Sequence, residues 1–302
     1  MIKPPFLRQG LSGKRQTQGW LAMLVSIGIL FCAALAGLTL FSPVLLRQES
    51  GSSAQTLSQF SLMDAGITII GFAVLILLLT CGWVKFFEKR QISSLGLGPQ
   101  FHRRFARGML AGLVAATLLA TSLVVFFDAE MSLALGQVPV GAFVLTFALL
   151  PLAWFVQAMS EEVLFRGFLL QSLGLRYGFV AAIFFSSLLF AGLHFEDGGS
   201  GAGYFIGMGV FAAFLCCYAV FDNSLWGPVG FNMAWNLALN ILFGVSLNDS
   251  GRDDIAIYNA LARSPKLLVT QTETGAFAAS FIGVSIVLII VLVVFTVSDR
   301  FR

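Results

Sequence analysis

Residues 138–167 read VPVGAFVLTFALLPLAWFVQAMSEEVLFRG. No charge interrupts the run before Glu161, and then Glu161, Glu162 and Arg166 arrive together. An α-helix rises about 1.5 Å per residue, so about 20 apolar residues cross a hydrocarbon core about 30 Å thick. From Val138 the run is long enough to cross before the first acid appears. The reading of this stretch sets the problem for the whole chain: a membrane span with carboxylates at or beyond its end.

The rest of the sequence repeats the pattern. Of 302 residues 58% are hydrophobic and only 11% charged, against roughly 25% charged in an ordinary soluble domain. The charges cluster in short segments between long uncharged runs. Spans are expected at 20–46, 66–86, 107–127, 138–158, 178–195, 202–221, 225–245 and 275–298. The first, Trp20 to Leu46, is too long for a signal-peptide core of about 7–15 residues and reads as an uncleaved span. The fold class is therefore all-α, a polytopic membrane helical bundle of about eight transmembrane helices.

Basic residues orient it. With the N-terminus inside, the inner segments hold Lys3, Arg8, Lys14, Arg15, Lys85, Lys89, Arg90, Arg103, Arg104, Arg107, Arg300 and Arg302, and the outer loops Arg47, Arg252, Arg263 and Lys266. The positive-inside rule then puts both termini in the cytoplasm of a multi-pass protein of the cell membrane. The same placement makes the basic residues topology signals and argues against a nucleic-acid partner. Cys32, Cys81, Cys216 and Cys217 fall in apolar segments without metal-ligand spacing. Two outer loops, about 47–65 and 246–274, are polar. The second carries Asp249, Asp253 and Asp254 without the alternation of a calcium loop.

Ionisable groups at membrane depth cost about 3 kcal/mol or more each and ask for a reason. Three places carry them or their polar equivalents: Glu161-Glu162 with Arg166, His194 in Phe190-Ala191-Gly192-Leu193-His194, and Asn232 with Asn236. On a helix Glu162 and Arg166 are i and i+4 and share a face. Glu161 projects about 100° away. Asn232, Asn236 and Asn240 form a polar stripe that should face protein or water. Alone, the Glu/Arg pair would read as a solvated ion pair at a helix end, and His194 as an interfacial residue beside Glu196 and Asp197. Together they offer amide hydrolysis, with Glu161 as the base for water, His194 sharing the proton work, and Asn232 or Asn236 as an oxyanion donor. Glu162 and Arg166 would fix the helix.

In order along the chain, Glu161-Glu162-x-x-x-Arg166, Phe190-x-x-x-His194 and a third polar pair at i, i+4 resemble the CAAX-processing and bacteriocin-processing (Abi/CPBP) intramembrane glutamic endopeptidases. The stretches Phe165-Arg166-Gly167-Phe168-Leu169 and Ser224-Leu225-Trp226-Gly227-Pro228 look like that family too. The resemblance covers about residues 140–245. It implies a metal-independent peptidase without cofactor, acting on a protein or peptide at the membrane, with Glu161 and His194 as the catalytic pair. The family's third motif usually reads His-x-x-x-Asn, and here Asn232 stands at the His position while Asn236 matches the Asn. Asn can donate a hydrogen bond but cannot take a proton, and it is a poor metal ligand. One histidine plus carboxylates is also thin for a zinc site, since His102 lies in a basic segment.

The chain thus divides into a basic cytoplasmic segment (1–18), N-terminal transmembrane helices (19–135), a CAAX-protease-like core (136–246), an outer loop (247–274) and a last helix with its tail (275–302). Two other readings stay open. One is an inactive relative serving as a membrane scaffold or immunity-type binding partner, suggested by Asn232. The other is a proton-linked transporter, for which internal repeats and paired broken helices are missing from the sequence. Neither substrate identity nor oligomeric state is written in the residues.

Overall fold

Every expected span falls on a helix. The computed structural model describes residues 3–49, 54–127, 130–134, 140–194, 201–243, 266–270 and 274–300. After a short α1 (Pro5–Arg8) come α2 (Gly19–Glu49), α3 (Ala54–Gly82), α4 (Phe101–Phe127) and α5 (Val140–Glu161). These are followed by α6 (Gln171–Tyr177), α7 (Phe179–Leu193), α8 (Gly201–Asp222), α9 (Trp226–Leu237) and α10 (Thr274–Arg300). Among the described residues, five helical segments are long and apolar enough to cross a membrane: Gly19–Leu40, Gly66–Phe87, Phe101–Phe127, Ala148–Tyr177 and Ala202–Asp222. Phe179–Leu193 and Ala279–Val294 are shorter apolar helices. Large apolar side chains such as Phe31, Leu78, Leu110, Phe126, Val180 and Ile290 face outward, as lipid-facing surface must. One addition to the all-helical expectation is a two-stranded antiparallel ribbon, β1 (Glu130–Ala134) with β2 (Lys266–Thr270), pairing Ser132 with Leu268. The aspartates of the second polar loop, Asp249, Asp253 and Asp254, lie outside the described residues.

The fourth span does not stop where the sequence suggests. Instead of ending near 158, α5 runs on through a π-helical segment, Glu162–Leu170, directly into α6. A π-helix closes its bonds from i to i+5 and normally lasts one turn, often at a functional site. Here every residue from Glu162 to Leu170 is buried. The chain winds differently from the first residue after Glu161. Two more π segments occur among the described residues: Trp83–Phe87 directly after α3, and Ala238–Phe243 directly after α9.

Close helix packing seats α9. Gly108 and Gly112, at i and i+4 on α4, present bare backbone to it. A Cβ at Gly108 would come 2.0 Å from the Gly227 carbonyl oxygen, and one at Gly112 2.3 Å from that of Phe231. Gly230 reciprocates, since a Cβ there would lie 2.3 Å from the Phe105 carbonyl oxygen. This is the small-residue contact by which membrane helices approach closely. At the start of α9, the Leu225 N–H donates to Gly96 O at 2.9 Å and the Trp226 indole to Gly98 O at 2.8 Å. Gly96 itself has φ +100°, a left-handed conformation that suits glycine.

The N-terminal segment is more than a basic tail. Phe6 and Leu7 are fully buried. Leu7 fills the space left by Gly174, where an added Cβ would come 2.7 Å from its side chain. Lys3 donates to the Leu175 carbonyl. Thr17 donates its hydroxyl and its N–H to Glu88 Oε1 at 2.7 and 3.1 Å. Glu88 in turn lies 2.7 Å from the Arg90 guanidinium. Burial lowers the Arg90 pKa, with Glu88 acting against the shift. Arg90 also donates to Gln171 Oε1 at 2.7 Å. Residues 3–17 thus cap one end of the bundle, where α6 ends and α4 begins. Two apolar residues among so many polar ones were too weak a signal to read as core.

Replacing Gly112 with Val puts side-chain atoms into a backbone carbonyl that no rotamer change can relieve. The loss should reach or exceed the usual overpacking cost of about 1–3 kcal/mol, seen as a lowered unfolding midpoint in detergent. Gly28→Ala, where an added Cβ meets nothing within 4 Å, should leave that midpoint unchanged. Equal midpoints for both variants would remove the close α4–α9 contact from the account.

Candidate active site

The two carboxylates sit where α5 gives way to π winding. Glu162 and Arg166 are each 0% exposed, Asn232 2% and Glu161 7%. The solvated helix-end reading of this pair is therefore overturned. The helix continues past it, and neighbouring helices cover both partners.

The contacts sort the two acids. Arg166 donates to Glu162 Oε1 at 3.1 Å and to the Ala212 carbonyl on α8 at 3.4 Å. Its guanidinium also lies 4.6 Å from the centre of the Phe190 ring on α7, within cation–π range. Glu161 has no cation within ion-pair distance among the described residues. Two neutral amides hold it instead: Gln157 Nε2 donates to Oε1 at 3.1 Å, and Asn232 Nδ2 to Oε2 at 2.9 Å. The same Asn232 nitrogen donates to Glu162 Oε1 at 3.2 Å. An ionised carboxylate can only accept, so this network fixes which way the Asn232 amide points. Its carbonyl accepts from Asn236 Nδ2 at 2.9 Å. Asn232 is thus a bracket between two carboxylates, with both of its amide hydrogens directed at them.

Glu161, Glu162, Arg166, Asn232 and Asn236 therefore form one hydrogen-bonded cluster. His194 is joined less directly. It caps the C-terminal end of α7, half-buried, with Nδ1 2.9 Å from the Phe190 carbonyl oxygen. A carbonyl only accepts, so Nδ1 carries the proton and Nε2 is the basic nitrogen. The His194 ring lies 4.5 Å from that of Phe190, the ring that Arg166 also approaches. No hydrogen bond joins His194 to Glu161 among the described residues. The side chain of Asn240 lies outside them, as do Glu196 and Asp197.

Two residues that the sequence reading passed over belong here. Gln157 is one helical turn before Glu161, and Trp154 is three residues earlier, on the same face. Trp154 Nε1 and Gln157 Oε1 are buried without a hydrogen-bond partner among the described residues. Their i, i+3, i+7 spacing to Glu161 was the available signal. Among the described residues no three His, Cys, Asp or Glu side chains converge as a metal site would require.

Removing Arg166 leaves the Glu162 charge buried and uncompensated, which costs about 3–5 kcal/mol in comparable pairs. Arg166→Ala should lower the unfolding midpoint of the detergent-solubilised protein sharply. Adding Glu162→Gln in that background should restore part of the loss. A single variant as stable as the parent would show that the pair does not carry this part of the fold.

Comparison with known proteins places these residues in one frame. No curated protein and no solved structure matches the chain. A family model does, over residues 142–238, a stretch that holds all three motifs and the helices that bring them together. The match agrees with the resemblance read from Glu161-Glu162, Arg166, His194 and the asparagine pair. Over residues 142–238 the chain is similar to the Rce1-like family, described as type II CAAX prenyl endopeptidase Rce1-like.

Proposed function

We propose that this protein is an intramembrane endopeptidase that cleaves a peptide bond of a membrane-associated protein or peptide, using water activated by Glu161. One observation carries the reading. Of two adjacent carboxylates in an apolar bundle, Glu162 is matched by a guanidinium while Glu161 is held only by neutral amides. A carboxylate with a bonded arginine has its charge committed. One without remains able to take a proton from water. Glu161 is also the more exposed of the two.

In this scheme Glu161 takes a proton from water, and the resulting hydroxide attacks the peptide carbonyl. The proton then passes to the leaving amine as the C–N bond breaks. His194 supports the step through Nε2, as an acceptor that orients the water or shares its proton. Asn232 holds Glu161 at a fixed angle and keeps the two carboxylates together. Asn236 steadies Asn232 and is the remaining candidate to donate to the oxyanion. The matching family is described as a CAAX prenyl endopeptidase, which makes a lipid-modified peptide the first substrate class to try. The end of the bundle capped by residues 3–17 faces the cytoplasm in this proposal, following the distribution of basic residues.

A second reading has its own observation. Asn232 stands where the family's third motif usually has His, and its amide is spent on the carboxylates. That arrangement would also suit a protein that binds partners without cutting them.

Glu161→Gln and His194→Ala should each abolish processing while the protein stays folded in the membrane. Comparing the membrane proteome and peptidome of a wild-type strain with those of a Glu161→Gln strain reads the outcome. Uncut precursors should accumulate only in the variant. Unaltered processing in both variants defeats the mechanism, and full complementation of a deletion by Glu161→Gln selects the binding reading.

A further inference from the structure

A cavity of about 790 Å³ opens at the capped end of the bundle, away from the carboxylate cluster. Four cationic side chains line it: Lys14 from the N-terminal cap, Lys89 and Arg90 after α3, and Arg104 from the first turn of α4. No acidic side chain is among its lining residues. Arg90 is met by Glu88 at 2.7 Å, and Arg104 donates to Gln100 and to the Asp222 carbonyl. Lys14 and Lys89 are exposed and make no side-chain hydrogen bond or ion pair among the described residues. These two charges face the cavity without an ion-pair partner among the described residues.

Backbone features point to the same place. Pro99 and Gln100, which precede α4, lie on the cavity wall. The positive dipole end of a long helix therefore lies at the rim, and the first turn holds no acid. Three non-glycine residues have positive φ among the described residues: Lys89 at 55°, Gln100 at 71° and Asn223 at 50°. All three line this cavity. Backbone held in this region is strained and gathers at ligand clamps.

Its depth in the membrane identifies the ligand class. The span Gly66–Phe87 ends two residues before Lys89, Phe101–Phe127 starts just after Gln100, and Ala202–Asp222 ends just before Asn223. Where three spans stop together, the bilayer offers its phosphate layer. Basic pockets between helix ends at that level suit anionic headgroups. We propose that the cavity binds the phosphate of an anionic phospholipid headgroup from the leaflet at which these spans end. The site does not depend on the peptidase reading. It adjoins the continuous α5–α6 helix at Gln171, which accepts from Arg90 at 2.7 Å and donates to the Ser94 carbonyl at 3.1 Å.

The test uses the full chain in a neutral detergent, titrated with short-chain phosphatidylglycerol while the unfolding midpoint is followed. A saturable rise is expected, absent with phosphatidylcholine and with inorganic phosphate at the same concentrations. Lys14→Gln with Lys89→Asn, the asparagine chosen because it tolerates positive φ, should weaken the apparent affinity roughly thirtyfold, as loss of two cations at a membrane surface implies. The control pair Lys85→Gln with Arg103→Gln removes the same charge from exposed residues outside the cavity and should leave the affinity unchanged. No rise with phosphatidylglycerol, an equal rise with phosphatidylcholine, or an equal loss in the control pair each overturns the proposal. Inorganic phosphate binding as tightly as the lipid would overturn the lipid assignment and make the ligand a soluble phosphate.

Discussion

A guanidinium buried among apolar helices is stable only if every neighbour answers it. Arg166 heads the fully buried side chains by volume among the described residues. Its answers come from several elements: Glu162 on its own helix, the Ala212 carbonyl on α8 and the Phe190 ring on α7. Asn232 on α9 then shares the Glu162 oxygen. One charge thereby ties together the helices that make up the candidate site. The same arrangement holds the two carboxylates differently. Glu162 is consumed in holding Arg166, and Glu161 is left with amide partners alone.

Geometry of the backbone supports that polar centre. The i→i+5 winding begins at Glu162, so the two acids straddle a change of helical pitch. From the other side, α9 is pressed onto α4 by Gly108, Gly112 and Gly230, and Asn232 follows the contact residue Phe231. Backbone-to-backbone contact leaves no slack for α9 to slide or rotate. The position of Asn232 relative to the carboxylates is therefore set by small residues that never touch them.

The helices and the residues of the polar cluster could be read from the chain because each announces itself locally. An uncharged run long enough to span, or a charge beside such a run, needs no partner to be noticed. What stayed hidden depends on partners. The spacing Glu162–Arg166 revealed a pair but not its complete burial, which comes from α7, α8 and α9. Nothing in residues 162–170 marks the π winding, since the same side chains suit an α-helix. Gln157 and Trp154 looked like ordinary span residues until Glu161 was seen one and two turns further along their face. Phe6 and Leu7 were lost in a basic segment, because two residues give no periodicity. The sequence also placed Glu161 and His194 as a pair, whereas no hydrogen bond joins them among the described residues: the Phe190 ring and Arg166 lead from His194 to Glu162, and Asn232 bridges Glu162 to Glu161.

The cap over one end of the bundle has a consequence for assembly. Lys3 bonds to a carbonyl 172 positions further on, and Gln9 to Asn223, 214 positions away. Synthesis delivers the earlier residues first, so Phe6 and Leu7 must wait until α6 and α8, which pack against them, have been made. A loop of that size closes at only a modest extra entropic cost, but it closes late. Until then the two apolar side chains stay in view of whatever quality-control machinery surveys the nascent chain, and their disappearance marks a bundle assembled as far as α8.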